Sequence, residues 1–337
     1  MSNIQATKRI VWIDTIRFLA CLLVALCHLE AQFSFTWYDM VTEAISPPFI
    51  YLSGTWATAV FSVLIGYFAA KKGASDKGTF ASYTVKRYLQ FGLGIGLTEL
   101  LHIVFKFLSI VLNHPEQMNF YQLTKPVVDG LLSTFFFRMH NDALTAIPSL
   151  FVGSLFAYLL SRTKAKTGWI LCIYAASMIP VFYEMFAAVQ IGYIMLGVVL
   201  FRVIKKEHRC LQYSAMKLLW LVLACVCSYN CFNNLLLIGL SGFFFMLFCF
   251  TCQTAQKVMS IKLAAEAGKI SFYIYLLHTA LHASVAPRIL ALLQGVSPTI
   301  QHVLFLVLCV AMDIIVAKMA EIVAKRMQNR LEKTLAI

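Results

Sequence analysis

The sequence predicts an all-α polytopic membrane protein, with about ten transmembrane helices around a central cavity. Three observations predict it. Of 337 residues, 60% are hydrophobic and only 13% charged, whereas soluble domains are nearer half apolar and a quarter charged. Mean hydropathy is +0.78, and the apolar residues come in runs long enough to cross a bilayer. Phe (27) and Tyr (14) are abundant, as interfacial aromatic belts require. These features exclude an ordinary cytosolic enzyme, a disordered chain and a secreted disulfide scaffold. No stretch is long and polar enough for a soluble domain, so one transmembrane domain over 1–337 is expected, with no appended soluble domain.

The first apolar run, 10–31, follows Lys8 and Arg9 as a signal peptide would. Asp14 and Arg17 lie inside it, however, and no small-residue cleavage site follows, so it reads as a retained first span. Further runs fall at 49–70, 84–112, 142–161, 168–186, 187–204, 215–233, 234–253, 270–292 and 298–324. Basic clusters punctuate them: Lys71, Lys72, Lys77, Lys86 and Arg87; Arg162, Lys164 and Lys166; Arg202, Lys205, Lys206 and Arg209; Lys257, Lys262 and Lys269; and Lys325, Arg326, Arg330 and Lys333. Lys and Arg collect on the cytoplasmic side, so the number of crossings between any two clusters must be even. The short run 126–137, which carries Asp129, then does not cross and becomes a re-entrant or surface helix on the outer side. Ten spans result, with both ends cytoplasmic. The outer connection from about 113 to 141 brings together His114, Glu116, Asp129, Arg138, His140, Asn141 and Asp142. It reads either as an acceptor-facing set or as a solvated connector. No internal repeat of the transporter type is visible.

The net charge is +13, from 28 Lys+Arg against 15 Asp+Glu. In a soluble protein this would suggest nucleic acid; here it sets orientation, and no nucleic-acid partner is expected. Cys21, Cys27, Cys172, Cys225, Cys227, Cys231, Cys249, Cys252 and Cys309 lie in or beside apolar segments and read as small packing residues.

Charged residues inside spans default to function. On the first helix, Arg17 and His28 are eleven residues apart, which leaves them about 20° apart around the axis and about 16 Å along it. Asp14 falls within about 60° of both. One stripe thus carries a carboxylate, a guanidinium and an imidazole. Asp14 and Arg17 also read as an i,i+3 ion pair, and a lone His28 would read as a hydrogen-bonded interior residue; their shared register favours chemistry. Glu99, His102 and Lys106 share a face of the third span, either lining the same cavity or forming an interhelical polar network. His278 and His282 stand at i,i+4, but without the carboxylate of a zinc-binding HExxH motif, so no metal is expected. Glu184 and Asp313 stand isolated and receive no role.

These residues resemble the acyltransferase-3 family of integral membrane O-acyltransferases. Arg17-x10-His28, preceded by Asp14, matches its first-helix motif. Ala59-Val-Phe-Ser-Val-Leu-Ile-Gly-Tyr-Phe-Ala-Ala-Lys is similar to its second-helix pattern, with Ile65 where the family usually has Ser. Tyr83-Thr-Val-Lys-Arg-Tyr-Leu-Gln resembles the basic start of its third helix, with Gln90 in place of a second Arg. Lys269-Ile-Ser-Phe-Tyr-Ile-Tyr-Leu-Leu-His278 matches its late signature.

The resemblance implies transfer of an acyl group, most often acetyl, from cytoplasmic acyl-CoA to a hydroxyl of a cell-envelope or exported glycan, in the cytoplasmic (inner) membrane. Lys86 and Arg87 would meet the CoA phosphates, Arg17 the CoA portion, and Asp14 would orient Arg17. His28 would act as general base or carry an acyl-histidine intermediate. Glu99, His102, Ser271 and His278 are candidates for substrate contacts, with Tyr273 and Tyr275 either polar contacts or core. The rival from another class is a transporter that uses Asp14, Glu99, His102 and Lys106 as a proton relay.

Overall fold

The computed structural model describes residues 10–33, 47–75, 78–113, 120–136, 146–179, 186–206, 213–229 and 234–334. Among them it contains fourteen helices and no strand: α1 (Val11–Phe33), α2 (Pro47–Ser75), α3 (Phe80–Asn113), α4 (Phe120–Phe136), α5 (Ala146–Arg162), α6 (Thr167–Ser177), α7 (Phe186–Lys205), α8 (Ser214–Tyr229), α9 (Leu235–Thr251), α10 (Gln253–Val258), α11 (Lys262–Gly268), α12 (Ser271–Ser284), α13 (Ala286–Leu292) and α14 (Pro298–Thr334). Among the described residues, four helices are long and apolar enough to cross a membrane, and four shorter apolar ones accompany them. The protein is a multi-pass membrane protein. Of the outer connection's polar residues only Asp129 lies among the described residues, and Glu184 and Cys231 fall outside them.

The helices follow the apolar runs closely, with three differences that local chemistry explains. The run at 168–186 is helical only over Thr167–Ser177 among the described residues; Pro180 follows, and a proline disfavours helix in the residue before it. The run at 270–292 breaks into α12 and α13 at Val285, with Pro287 in the first turn of α13, a position where its missing N–H costs nothing. The short run with Asp129 lies in α4, a 17-residue helix with Pro126 inside it, which packs along α3.

α2 is the hub, packing against α1, α5, α7 and α9. Small residues let backbones approach closely where lipid offers no hydrophobic drive. A Cβ on Gly66 would lie 2.0 Å from the Ile194 carbonyl oxygen, and one on Gly197 2.1 Å from that of Val63, so the two glycines form the α2–α7 crossing. A buried hydrogen bond from Ser62 Oγ to Gln190 Oε1 (2.6 Å) ties the same pair.

α1 is held on its other side by the chain's late segment. Thr15 Oγ1 donates to the Ile261 carbonyl (3.2 Å). A Cβ on Gly268 would come within 1.9 Å of the Asp14 carbonyl. Cys21 Sγ donates to the Ser271 carbonyl (3.2 Å), and the rings of His28 and His278 lie 5.3 Å apart. From Cys21 to His28 on α1 and from Ser271 to His278 on α12 is seven residues in the same direction, so α1 and α12 are parallel neighbours. α14 packs against α12 and α3. The 34 residues of α3 and 37 of α14 span about 50 and 55 Å, well beyond the roughly 30 Å hydrocarbon core.

Candidate active site

The site is built on the α1 stripe. Asp14 is buried (5% exposed), and Arg17 Nη1 donates to its Oδ1 at 3.4 Å. This is the i,i+3 pair expected from spacing. From there a cleft of about 240 Å³ opens between α1, α2, α3 and α12, lined by Arg17, Phe61, Leu64, Ile65, Phe68, Arg87, Gln90, Phe91 and Phe272. Two guanidiniums thus face one cavity. Arg87 is held in place by three neighbours: Nη1 donates to Gln90 Oε1 (2.8 Å), Nε donates to Tyr83 Oη (3.2 Å), and the guanidinium lies over the rings of Tyr83 and Phe91 at 5.8 Å. Gln90, standing where a second arginine is usual in the family's motif, here orients the first. Ile65, standing for the usual serine, leaves an apolar wall.

On the other side of Phe61 lies a separate small void, here called the neck, of about 10 Å³, lined by Ala20, Cys21, Val24, Thr58, Phe61, Leu150 and Tyr275. That space holds one water at most. Phe61 belongs to both chambers and stacks on Tyr275 (centroids 5.9 Å, 17°). On α1 the lining residues Arg17, Ala20, Cys21 and Val24 recur at helical spacing, and His28 follows one turn later. The stripe read from the sequence is the wall along which the cleft and neck lie.

At the end of that stripe the half-buried His28 ring faces His278 at 5.3 Å. His278 is fully buried. Its Nδ1 donates to the Tyr275 carbonyl at 2.8 Å, so its Nε2 carries the lone pair, and Nε2 has no protein partner among the described residues. The His282 ring lies 5.5 Å from that of His278, and His282 Nε2 is bonded to Asp313 Oδ2 at 2.9 Å. Asp313, isolated in the sequence, is brought to α12 by α14.

The other sequence candidates fall as follows. Ser271 is fully buried, with its hydroxyl unpartnered among the described residues; through its carbonyl it sits at Cys21, level with the neck rather than with His28. Lys86 is exposed and does not line the cleft. Glu99 lies against α4: a Cβ on Gly130 would sit 3.3 Å from Glu99 Cβ and 3.8 Å from its Oε2. His102 and Lys106 are exposed on the same helix. The structure does not bring these three to the His28 cluster, because that face of α3 is turned to α4. Tyr275 is buried beside the neck, and Tyr273 is buried in the core. Among the described residues no three His, Cys, Asp or Glu side chains are placed to hold a metal. Cys249 and Cys252, in Cys-x-x-Cys spacing at the end of α9, are free thiols.

Sequence reasoning named Phe61, Gln90, His282 and Asp313 but gave none of them a place at the site, and did not pair the last two. The signal for Asp313 was its mere presence in a span; its partner, 31 residues away, could be named only by the fold.

No curated protein and no solved structure matches the chain. A family model does: that of the acyltransferase-3 domain, over residues 10–317. With intramembrane charges gathered along the helix that carries its first motif, and with nearly the whole chain matched, the protein belongs to the acyltransferase-3 family of membrane acyltransferases.

Proposed function

We propose that this protein is an O-acyltransferase of the cytoplasmic membrane that moves an acyl group, acetyl in the first instance, from cytoplasmic acyl-CoA to a hydroxyl of an envelope or exported glycan. The observation that carries this reading is the continuity of one helix face: Arg17 at a cleft shared with Arg87, then the neck, then His28. Both termini are cytoplasmic in this reading, so the cleft opens to the cytoplasm and His28 lies toward the outer half. A single transmembrane domain does the work.

Anionic CoA docks at the cleft, where guanidiniums offer forked, charge-assisted hydrogen bonds to phosphate. Arg87 is preorganised by Gln90 and Tyr83, and Arg17 by Asp14. The thin pantetheine arm passes Phe61 and presents the thioester near His28. The unpartnered Ser271 hydroxyl is available to the arm at the neck, and His278 Nε2 is available to the acceptor. The acceptor hydroxyl attacks the thioester carbonyl as His28 takes its proton. The new C–O bond forms, the C–S bond breaks, and the proton passes from His28 to the departing thiolate, giving ester and free CoA.

The neck is too narrow for a thioester as it stands, so Phe61 must swing off Tyr275 for the arm to enter. Mass spectrometry of envelope glycans from cells with and without the gene tests the reading. A mass difference of one acyl unit is expected, and its size identifies the donor. Identical glycans, together with labelled solute crossing proteoliposomes, would instead indicate transport.

A further inference from the structure

Behind His28 lies a chain of ionisable groups of which the transfer step as described uses only the first, His278, and that only as a contact for the acceptor. His278, His282 and Asp313 are 0%, 0% and 2% exposed. The ring contacts of 5.3 and 5.5 Å and the 2.9 Å bond link them to His28 in one line across α1, α12 and α14. His278 Nε2, His282 Nδ1 and Asp313 Oδ1 all lack a protein partner among the described residues. With His278 donating through Nδ1 and His282 through Nε2, each unpartnered atom is a lone-pair acceptor. A buried acceptor without a donor is destabilising. An apolar core would not maintain three of them together; a device that receives protons would.

We propose that His282 and Asp313 are positioning residues that, through His278, make His28 a stronger base and stabilise the imidazolium formed when it takes the acceptor's proton. The proposal rests on the reading of His28 as general base. With Asp313 ionised and the imidazoles neutral, the buried array carries a net negative charge, which is costly inside hydrocarbon. The proton taken from the hydroxyl neutralises it, and the array releases that proton through His28 to the CoA thiolate. No other reactant is needed. The groups that face the array are few. On α1 they are His28, Cys21 two turns away and Arg17 three turns away; on α14, Asp313 with Cys309 one turn and His302 three turns before it on the same face; on α12, Tyr275. On α3, Gly94 and Phe91 pack on Leu276 and Phe272, Glu99 and His102 further along lie on the face toward α4 or exposed, and Arg288 on α13 is exposed.

The test uses the full-length protein in membranes that carry its native glycan acceptor, with radiolabelled acetyl-CoA as the probe and incorporation followed against pH. Asp313→Asn and His282→Gln keep shape and hydrogen-bonding capacity but remove the charge and the titration. Each is expected to lower kcat by on the order of tenfold to a hundredfold, a part of the hundredfold to ten-thousandfold that a general base contributes. Each is also expected to move the acidic limb of the profile to lower pH, because the base has lost its anionic support, and to leave the KM for acetyl-CoA unchanged. Folded variants with the unaltered kcat and limb would overturn the proposal, as would a loss of folded protein with an unshifted limb in what remains. His28→Ala, run alongside, separates the two claims: if it retains transfer the underlying reading fails, whereas if it alone is inactive only the array fails. If neither charge-removing variant folds, histidine ¹⁵N resonances of the unaltered protein decide. One coupled titration of His28, His278 and His282 supports the array, and three independent titrations overturn it.

Discussion

On α1, Arg17, Cys21, Val24 and His28 recur at helical spacing; on α3, Glu99, His102 and Lys106 do the same. By periodicity the two sets are equal. The fold separates them. The α1 stripe is enclosed by α2 on one side and by α11 and α12 on the other, so its polar groups meet a cleft, a neck and a second histidine. The α3 set looks toward α4 and outward, and two of its three members are exposed. A shared helical face is therefore a necessary condition for a site, and the neighbour covering that face decides the rest.

Five variants can break or sharpen that contrast. The largest effect is expected at His28→Ala, with transfer falling by about a thousandfold, within the range of lost general-base catalysis, while membrane insertion and yield are unchanged. Incorporation of labelled acyl groups, measured beside a western blot of the membrane fraction, checks both halves. Next comes Phe61→Trp, which fills the neck. Turnover should drop by on the order of a hundredfold, as misplaced reactants do, while acyl-CoA still binds at the cleft. Equilibrium binding of a non-hydrolysable acyl-CoA analogue separates entry from docking, and weakened binding would show that the neck and the cleft are not distinct chambers.

Arg87→Ala should raise the apparent KM for acyl-CoA by roughly tenfold, the worth of a charge-assisted hydrogen bond, with little change in kcat. Exposed Lys86→Ala in parallel should change it by less than about twofold, as expected for a solvated charge. The smallest effect is expected for the double variant Glu99→Gln/His102→Gln, with transfer within about twofold of the parent, as for surface positions. If that double variant proves inactive in initial-rate assays, the α3 face must be wet and functional, and the contrast collapses.

Much of this was legible early. The apolar runs predicted the helices, and Arg17-x10-His28 predicted one polar face of α1, because a helix fixes the angle between its own residues. The Asp14–Arg17 pair is local in the same sense. Arg87 was named as a phosphate partner together with Lys86, but adjacent residues on a helix point about 100° apart, and only Arg87 meets the cleft. Glu99 and His102 were grouped with the site because nothing in their spacing reveals α4.

The sequence by itself determined the bilayer as solvent, the helical content and the polar face of α1. Each follows from hydrophobicity and the rise and turn of a single helix, which are local quantities. The tertiary structure alone decided that His278 stands opposite His28, that Asp313 reaches His282, and that Phe61 divides the cleft from the neck. Those facts depend on which helices become neighbours, and that choice is made by long-range packing such as Gly66 on Gly197 and Gly268 on Asp14, where a missing Cβ lets two backbones touch.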